Sequence, residues 1–256
     1  MDHRLRRATF AEVAELYDRV RPTYPDALFD DLIDLAGLRG GSRVVEVGCG
    51  TGKATLPLAG RGLRMTCVEL GASLAAVAQR KLALFPGVEI VVDDFETWTP
   101  RRAEYDALVS FTAYHWIERG KRYPLAAGLL REGGAIALAM IHHVLPPDAD
   151  PFFLDAQADY EAVGMGGTPP GPPEQVEAFG DEMAASGLFD LVAGRRYQWD
   201  VEYTGDEYID VISTYSENIA MDDARRARLF GRLRARIGER TIRKTYLATL
   251  DVAVKI

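Results

Sequence analysis

Five short runs rich in β-branched and other apolar residues alternate with helical patterns between Arg43 and Ile141. The runs are Arg43–Val47, Arg64–Glu69, Val88–Val92, Tyr105–Ser110 and Ala135–Ile141. Strands that alternate with helices form βαβ units and a parallel sheet, and nearly continuous apolar runs suit strands that are buried on both faces. The pattern therefore predicts an open, doubly wound α/β sheet.

The second half of the chain departs from this alternation. After a predicted helix at 152–163, the segment 164–173 is so rich in glycine and proline that we expect a loop, followed by a helix near 174–186. Residues 195–202 alternate in period two, as a half-exposed antiparallel strand does, and a last β-rich run covers 245–254. We therefore expect an antiparallel pair of strands at the sheet edge, with helices inserted between them.

These patterns divide the chain into four segments. Residues 1–40 hold two N-terminal lid helices, predicted from Phe10 to Val20 and from Leu28 to Ala36 by helical spacing. The other segments are a sheet core at 41–143, a linker and helical cap segment at 144–189, and edge strands at 190–256 with inserted cap helices at 205–240.

Length and composition limit the class of protein. The 256 residues carry a net charge of −8, 48% are hydrophobic and two are cysteines. Such a composition is typical of a globular protein and excludes collagen-like, disordered and disulfide-stabilised classes. No apolar stretch approaches the ~20 residues that span a bilayer, and no secretory signal is recognisable. We therefore expect a cytoplasmic protein.

A glycine-rich loop with the sequence EVGCGTG occupies residues 46–52, at the end of the first predicted strand. Glycine is needed where the backbone turns sharply or lies against a ligand, and open α/β sheets bind ligands at this end of their strands. A phosphate-binding P-loop is excluded because Val47 and Ala54 replace required residues, and a dinucleotide fingerprint lacks its third glycine. The pattern that remains after these exclusions is an acidic residue followed by glycines at alternate positions.

This loop resembles motif I of the class I S-adenosylmethionine-dependent methyltransferases, and later segments follow the order of that family. The resemblance implies a Rossmann-like, doubly wound seven-stranded sheet with a helical cap, and S-adenosylmethionine as cofactor, with S-adenosylhomocysteine as product. Residues after the second strand would bind the ribose. Residues after the third strand would bind the adenine, and residues after the fourth strand would bind the methionine moiety. The cofactor-binding residues implied are Glu46, Gly48, Gly50, Gly52, Glu69, Leu70, Asp93, Asp94, Phe95, Ser110 and Thr112.

Residues 17–25, with the sequence YDRVRPTYP, are similar to the YDxxRPxYP segment of small-molecule methyltransferases that include trans-aconitate-type enzymes. In that subgroup the leading helix covers the cofactor, which implies Tyr17 and Arg21 near the cofactor carboxylate. For substrate binding we assign Tyr24, Trp116 and Tyr215. Packing explains Tyr17 and Trp116 equally well, and one aspartate of the pair at 93–94 is expected to be structural.

Methyl transfer from a sulfonium is an in-line displacement, so the protein mainly aligns donor and acceptor and excludes water. An unactivated hydroxyl acceptor also needs a base, whereas a carboxylate does not. His115, His142 and His143 follow the carboxyl ends of predicted strands, and any of them could be a base tuned near neutrality, or a loop residue. Adjacent histidines without further ligands are poor evidence for a metal, and we predict none.

A basic segment at 225–244 contains nine arginines and lysines and one acid, Glu239. It could recognise RNA or an anionic substrate. However, Leu229, Leu233 and Ile237 recur at helical spacing within a helix predicted at about 223–237, which favours an amphipathic helix with a charged outer face. No aromatic platform accompanies the segment and the chain is acidic, so we do not expect a nucleic-acid partner.

The sequence therefore predicts a methyltransferase acting on a small molecule, with an oxygen acceptor preferred, as a monomer or homodimer. C- or N-methylation, RNA methylation through the basic segment, and a cofactor-binding protein without transfer activity stay open, because fold and donor site do not fix the reaction. The acceptor itself is not predicted.

Overall fold

The computed structural model of the protein describes residues 14–100, 104–166 and 168–256. Seven strands form one sheet: β1 Arg43–Val47, β2 Arg64–Glu69, β3 Val88–Val92, β4 Tyr105–Phe111, β5 Leu130–His143, β6 Phe189–Tyr203 and β7 Ile242–Lys255. Their order across the sheet is β3-β2-β1-β4-β5-β7-β6. Strands β1 to β5 are parallel, and β7 runs antiparallel between β5 and β6. The predicted seven-stranded fold with an antiparallel edge pair is confirmed.

The last strand is longer and lies deeper in the sheet than the sequence pattern suggests. β7 pairs with β5 from Tyr246 to Val254 and with β6 along almost its whole length. Strand β5 likewise begins at Leu130, which pairs with Tyr105, rather than at Ala135. These extensions arise because ladder pairing with a neighbour, which local sequence does not report, defines where a strand begins and ends.

The helices are α1 Ala14–Val20, α2 Asp26–Leu35, α3 Thr55–Gly60, α4 Ala72–Lys81, α5 Arg119–Leu129, α6 Phe152–Asp155, α7 Gln157–Glu161, α8 Gly180–Ala185, α9 Gly205–Ser213, α10 Ser216–Ile219 and α11 Asp223–Ile237. The predicted first helix begins at Phe10, which lies outside the described residues. The helix predicted near 174–186 is reduced to a single turn at Pro173–Gln175 and to α8. The carboxylate of Asp251 on β7 accepts a hydrogen bond from Phe179 N, so a tertiary contact sets where α8 starts.

Helices cover both faces of the sheet and a third apolar cluster forms the cap. Leu28, Leu32 and Leu58 of α2 and α3 pack on one face, and Tyr123 and Ala126 of α5 pack on the other. The cap cluster joins α6, α9 and α11 to the ends of β6 and β7. This arrangement leaves the carboxyl ends of β1, β2 and β4 facing the cap, where a ligand of an open α/β sheet is expected.

The N-terminal helix α1 closes this side of the molecule. Tyr17 packs with Leu74 and Val77 of α4, and Val20 contacts the cap cluster. In the part of the chain that the structure describes, we find no helix with the length and apolar character needed to cross a membrane.

Candidate functional site

The glycine loop leaves β1 with three residues in the left-handed region, at φ values of 70° for Gly48, 56° for Gly50 and 77° for Gly52. A Cβ atom on Gly48 would lie 2.5 Å from Ala113 Cβ, and one on Gly52 would lie 3.0 Å from Leu82 Cδ1. A Cβ atom on Gly50 would meet nothing within 4 Å. Close packing therefore excludes a Cβ atom at Gly48 and crowds one at Gly52, whereas Gly50 leaves bare main chain facing open space.

Glu69, at the end of β2, fixes the loop through backbone hydrogen bonds. Its Oε2 accepts from Gly50 N at 2.8 Å and its Oε1 accepts from Gly71 N at 2.7 Å. Burial raises the pKa of this carboxyl above its usual range, and the backbone hydrogen bonds act against that shift. Each carboxylate oxygen keeps a further lone pair, so Glu69 can accept from two more donors.

Glu46 is buried at the end of β1, beside the loop. Thr55 Oγ1 donates to Glu46 Oε2 at 2.7 Å, whereas no described residue donates a hydrogen bond to Oε1. Burial raises the pKa of the Glu46 carboxyl to about 7, against the lowering effect of Thr55. A buried acceptor without a donor is uncommon in folded proteins, and this one belongs to a cavity wall that a ligand could contact.

Two cavities open at the carboxyl ends of the strands. The first, which we call the Glu69 cavity, has walls that include Glu69, Leu70, Asp93, Phe95 and Trp116. Residues that follow three different strands thus meet in one place, as predicted for a nucleoside site. Asp94 does not line this cavity. Its Oδ1 accepts from Glu96 N at 3.1 Å and so stabilises the turn after β3.

The second cavity, which we call the Tyr215 cavity, lies between the loop and the cap. Its walls include Arg21, Tyr24, Glu46, His143 and Tyr215. The two cavities share walls at Tyr17, Gly48, Gly50, Phe111 and Thr112. Trp116, predicted to contact substrate, lines only the first cavity, whereas Tyr24 and Tyr215 line the second.

Arg21 joins the lid to the cap at the edge of the Tyr215 cavity. Its Nε donates to Thr214 Oγ1 at 2.7 Å and its Nη2 donates to the Thr214 carbonyl at 3.1 Å. The guanidinium lies 4.2 Å from the ring centroid of Tyr215 and 5.1 Å from that of Tyr17. Lys53, which follows the glycine loop, lines the same cavity, and burial lowers its pKa. The walls therefore include two cationic side chains beside the carboxyl groups of Glu46 and Glu217.

The two residues assigned at the end of β4 serve different purposes. Thr112 adopts φ 54°, and its Oγ1 lies 2.5 Å from Tyr24 Oη and accepts from Ile141 N at 3.1 Å. Because β-branched residues rarely adopt positive φ, these hydrogen bonds hold Thr112 in a strained conformation between the two cavities. Ser110 lines neither cavity. Its hydroxyl donates to the Val47 carbonyl at 2.7 Å and so ties β4 to β1.

Of the three candidate histidines, only His143 lines either cavity. Burial lowers its pKa to about 2, with the nearby Lys244 ammonium acting in the same direction, and burial also lowers the pKa of His142. The expectation of a base tuned near neutrality is therefore not met at His143. His115 packs against Trp116, with 4.7 Å between the ring centroids. Among the described residues, no cluster of three or more His, Cys, Asp or Glu is arranged to hold a metal.

The arginines of the basic segment are mostly paired with acids or carbonyls inside the cap. Arg232 and Arg236 on α11 both bind the buried carboxylate of Asp159 on α7. Arg225 donates to the Val163 carbonyl, Arg234 pairs with Asp206, and further pairs are Arg226 with Asp223, Arg240 with Asp150, and Arg243 with Asp148. Most cations of the segment thus have an acidic or carbonyl partner, and several of these pairs lie at the protein surface.

One basic residue of this segment, Lys244, is buried beside the Tyr215 cavity, and the sequence reasoning did not single it out. Its Nζ donates to Tyr215 Oη at 2.8 Å. Period-two alternation places Lys244 on the same face of β7 as Ile242 and Tyr246, which are both buried apolar residues. That alternation was a signal in the sequence that this lysine points inwards.

Sequence comparison with known proteins finds similarity to methyltransferases over the part of the chain that forms this site. A family model described as a methyltransferase domain matches residues 44–134. An uncharacterized methyltransferase of Mycobacterium tuberculosis is 33% identical over 135 residues, which cover 51% of each chain. A trans-aconitate 2-methyltransferase of Paracidovorax citrulli is 30% identical over 127 residues, which cover 48% of this chain and 45% of the relative. The chain thus spans about half the length of the curated relatives it matches.

Solved structures share the whole fold. A protein of Anaeromyxobacter dehalogenans assigned as a type II methyltransferase superposes with a TM-score of 0.63 at 24% identity, over 91% of this chain and 97% of that one. At this identity the likeness shows the fold alone. The sequence matches cover the glycine loop and the strands that follow it, so residues 44–134 of the chain are similar to a methyltransferase domain.

Proposed function

We propose that the protein transfers the methyl group of S-adenosylmethionine to an oxygen atom, carboxylate or hydroxyl, of a small organic molecule. The observation that carries this proposal is the shared wall between the two cavities at Gly48, Gly50 and Thr112. A donor whose nucleoside occupies the Glu69 cavity would reach with its methionine part into the Tyr215 cavity. An acceptor in the Tyr215 cavity would then meet the methyl group at their junction.

The described residues fit this cofactor. Glu69 has two free lone pairs for ribose hydroxyls, and Asp93 and Phe95 stand where an adenine edge would lie. The unpartnered Oε1 of Glu46 would accept from an ammonium group, and Arg21 would face a carboxylate. When bound, the sulfonium supplies an electrophilic methyl group. The protein aligns the acceptor with that carbon and excludes water.

The donor site is tested by calorimetric titration with S-adenosylmethionine and S-adenosylhomocysteine. We expect the wild type to bind both and Glu69→Gln to bind them at least 10-fold more weakly, because a neutral amide accepts hydrogen bonds less strongly than a carboxylate. Glu89→Gln, which removes an exposed carboxylate from the neighbouring strand β3, is the matched control. Absence of binding to the wild type, or equal binding by Glu69→Gln, would refute the donor site.

The acceptor class rests on the walls of the Tyr215 cavity. Aromatic rings of Tyr24, Tyr215 and Tyr246, with nearby cations, suit a small organic molecule that carries oxygen groups. Incubation with labelled donor and a fractionated extract, followed by mass identification of the labelled product, tests this proposal. Label on nitrogen, on carbon or in RNA would contradict it.

A further inference from the structure

Lys244 is a buried cation whose hydrogen-bond partner is a phenol. The residue is 1% exposed, and its Nζ donates to Tyr215 Oη at 2.8 Å. The ammonium lies 5.2 Å from the ring centroids of Tyr215 and Tyr246 and 5.6 Å from that of Tyr208. Over the described ranges, no carboxylate lies within ion-pairing distance of it. A buried ammonium is unfavourable unless a counter-charge accompanies it.

A phenolate at Tyr215 would supply that counter-charge at the wall of the cavity. Burial alone would raise the pKa of this phenol, but Lys244 and Arg21 outweigh burial and hold the pKa below the usual value of about 10. The titratable and charged groups that surround it from the lid, the cap and the sheet are Tyr17, Arg21, His143, Tyr160, Tyr203, Tyr208, Glu217, Lys244 and Tyr246. The two cations nearest to the phenol thus favour its ionised form.

Other candidate bases in this cavity are less suited to take a proton. His143 has a pKa near 2, so its neutral ring has little affinity for a proton near pH 7. The pKa of Glu46 is about 7, but Thr55 donates to one oxygen of its carboxyl and, in the proposed function, the other oxygen accepts from the ammonium group of the donor. Tyr215 combines a place in the cavity wall with a hydrogen bond from Lys244 and an Arg21 guanidinium 4.2 Å from its ring centroid.

We propose that Tyr215 is the catalytic base that accepts the proton of a hydroxyl acceptor, and that Lys244 is the positioning residue that favours the ionised form of its phenol. The proposal rests on the proposed function. The acceptor oxygen forms a bond to the methyl carbon while the carbon–sulfur bond breaks, and that electron pair stays on sulfur. The hydroxyl proton passes to Tyr215 Oη and is later released to solvent. The acceptor is therefore an alcohol, phenol or enol, because a carboxylate would need no base.

The ionisation is tested without any acceptor, by ultraviolet titration of the tyrosinate absorption near 295 nm. We expect the wild type to show one phenol that ionises below the ordinary tyrosine range, and Tyr215→Phe to lack it. Lys244→Met should move this ionisation upwards. Tyr160→Phe is the matched control, since it removes a phenol of the same cluster that has no contact with Lys244. If the low ionisation is absent from the wild type, or persists in Tyr215→Phe, the proposal is overturned.

The base role is tested on the labelled product of the donor-and-extract reaction. We expect a methyl ether; Tyr215→Phe should lower kcat at least 100-fold and leave KM within about 3-fold. Lys244→Met should shift the acid limb of the pH–rate profile upwards, and Tyr160→Phe should keep the wild-type profile. A methyl ester as product, or wild-type turnover by Tyr215→Phe, would overturn the proposal.

Two measurements distinguish an incorrect assignment of the base from an incorrect proposed function and from misfolding of the variant. Calorimetry should show that Tyr215→Phe binds S-adenosylhomocysteine as the wild type does, whereas loss of binding by the wild type itself would refute the donor site. If Tyr215→Phe does not fold, replacement of Tyr215 by 3-fluorotyrosine provides the second variant. Its more acidic phenol should move the acid limb downwards, and an unmoved limb would overturn the proposal.

Discussion

Single residues of the glycine loop have different functions although they share one backbone conformation. Gly48, Gly50 and Gly52 all have positive φ, so all three would be strained by a side chain. Only the surroundings separate them, because Ala113 and Leu82 close the space at Gly48 and Gly52. The sequence predicts that glycines are needed here, but it does not distinguish packing from ligand approach.

Replacement of two of these glycines by alanine separates conformational strain from steric clash. We expect Gly50→Ala to lower the free energy of unfolding by about 1–2 kcal/mol, the strain of a left-handed alanine. Gly48→Ala should cost more, since its Cβ would lie 2.5 Å from Ala113 Cβ. Urea unfolding of the ligand-free protein measures both values. Equal losses would contradict the packing role of Gly48.

The buried carboxyl of Glu46 gives stability a pH dependence. Its pKa is about 7 in the folded protein against an ordinary value of 4.5, so folding favours the protonated form. The stabilisation is therefore complete below about pH 4.5 and is lost as pH rises through 7. We expect the unfolding free energy of the wild type to fall by up to about 3 kcal/mol relative to Glu46→Gln between pH 4.5 and 8. If the unfolding free energies of the wild type and of Glu46→Gln change in parallel with pH, the prediction is contradicted. The control Glu89→Gln should show the same pH dependence as the wild type.

Secondary-structure elements follow the sequence where their pattern is local and depart from it where tertiary contacts define them. Helix α11 occupies 223–237 as predicted, because its apolar stripe of Leu229, Leu233 and Ile237 packs in the cap. The helix predicted near 174–186 is interrupted by a loop at 176–179, because α8 starts where Phe179 N donates to Asp251 of β7, which is distant in sequence. Periodicity thus identifies an amphipathic helix but not a boundary set by another element.

The attachment of α11 to α7 depends on one carboxylate. Asp159 is buried, while the side chains of its partners Arg232 and Arg236 are 41% and 33% exposed. We therefore expect Asp159→Asn to lower the free energy of unfolding by about 1–3 kcal/mol, less than for a fully buried pair. Asp155→Asn, which removes an exposed carboxylate at the end of α6, should be near neutral by chemical denaturation.

The pH dependence of this effect has a defined sign. The hydrogen bond from Arg236 holds the pKa of Asp159 below its usual 3.8. The stabilisation is therefore present above about pH 4 and is lost as pH falls through the lower folded value. The difference between the wild type and Asp159→Asn should close in acid, and a gap that persists there would show that packing, not charge, is lost.

Because most arginines of α11 pair with a carboxylate or a carbonyl, we expect no specific affinity for polyanions. The protein should elute from heparin at low ionic strength, since few free cations remain to displace counterions. Salt-dependent retention on heparin or RNA would instead favour the nucleic-acid alternative.

At the scale of the whole molecule, the walls of the Tyr215 cavity come from the segments proposed as the lid, the sheet core and the cap. Arg21 connects the first and the last of these through Thr214, which is 193 residues away in sequence. The domain division proposed from the sequence stays a prediction, because no boundary is independently tested. The contacts of Arg21 nevertheless couple two of the proposed segments around the Tyr215 cavity.

Loss of this connection should loosen α1 without unfolding the protein. We expect Arg21→Ala to increase hydrogen exchange of residues 14–20 and 205–219 by about 10- to 100-fold, because hydrogen bonds from a charged donor contribute about 1.5–3 kcal/mol. Arg19→Ala, on the exposed side of the same helix, is the control. Unchanged exchange in Arg21→Ala would contradict the coupling.

The sequence by itself determined the parallel strands, the glycine loop, the acid at the end of β2 and the resemblance to a methyltransferase. These features depend on short runs of residues, in which periodicity and glycine content reflect burial and backbone conformation directly. Only the tertiary structure decided that β7 lies between β5 and β6, that Asp93 rather than Asp94 faces the cavity, and that Lys244 is buried beside Tyr215. Those outcomes depend on contacts between residues far apart in the chain, and local patterns carry no information about which distant groups share a buried space.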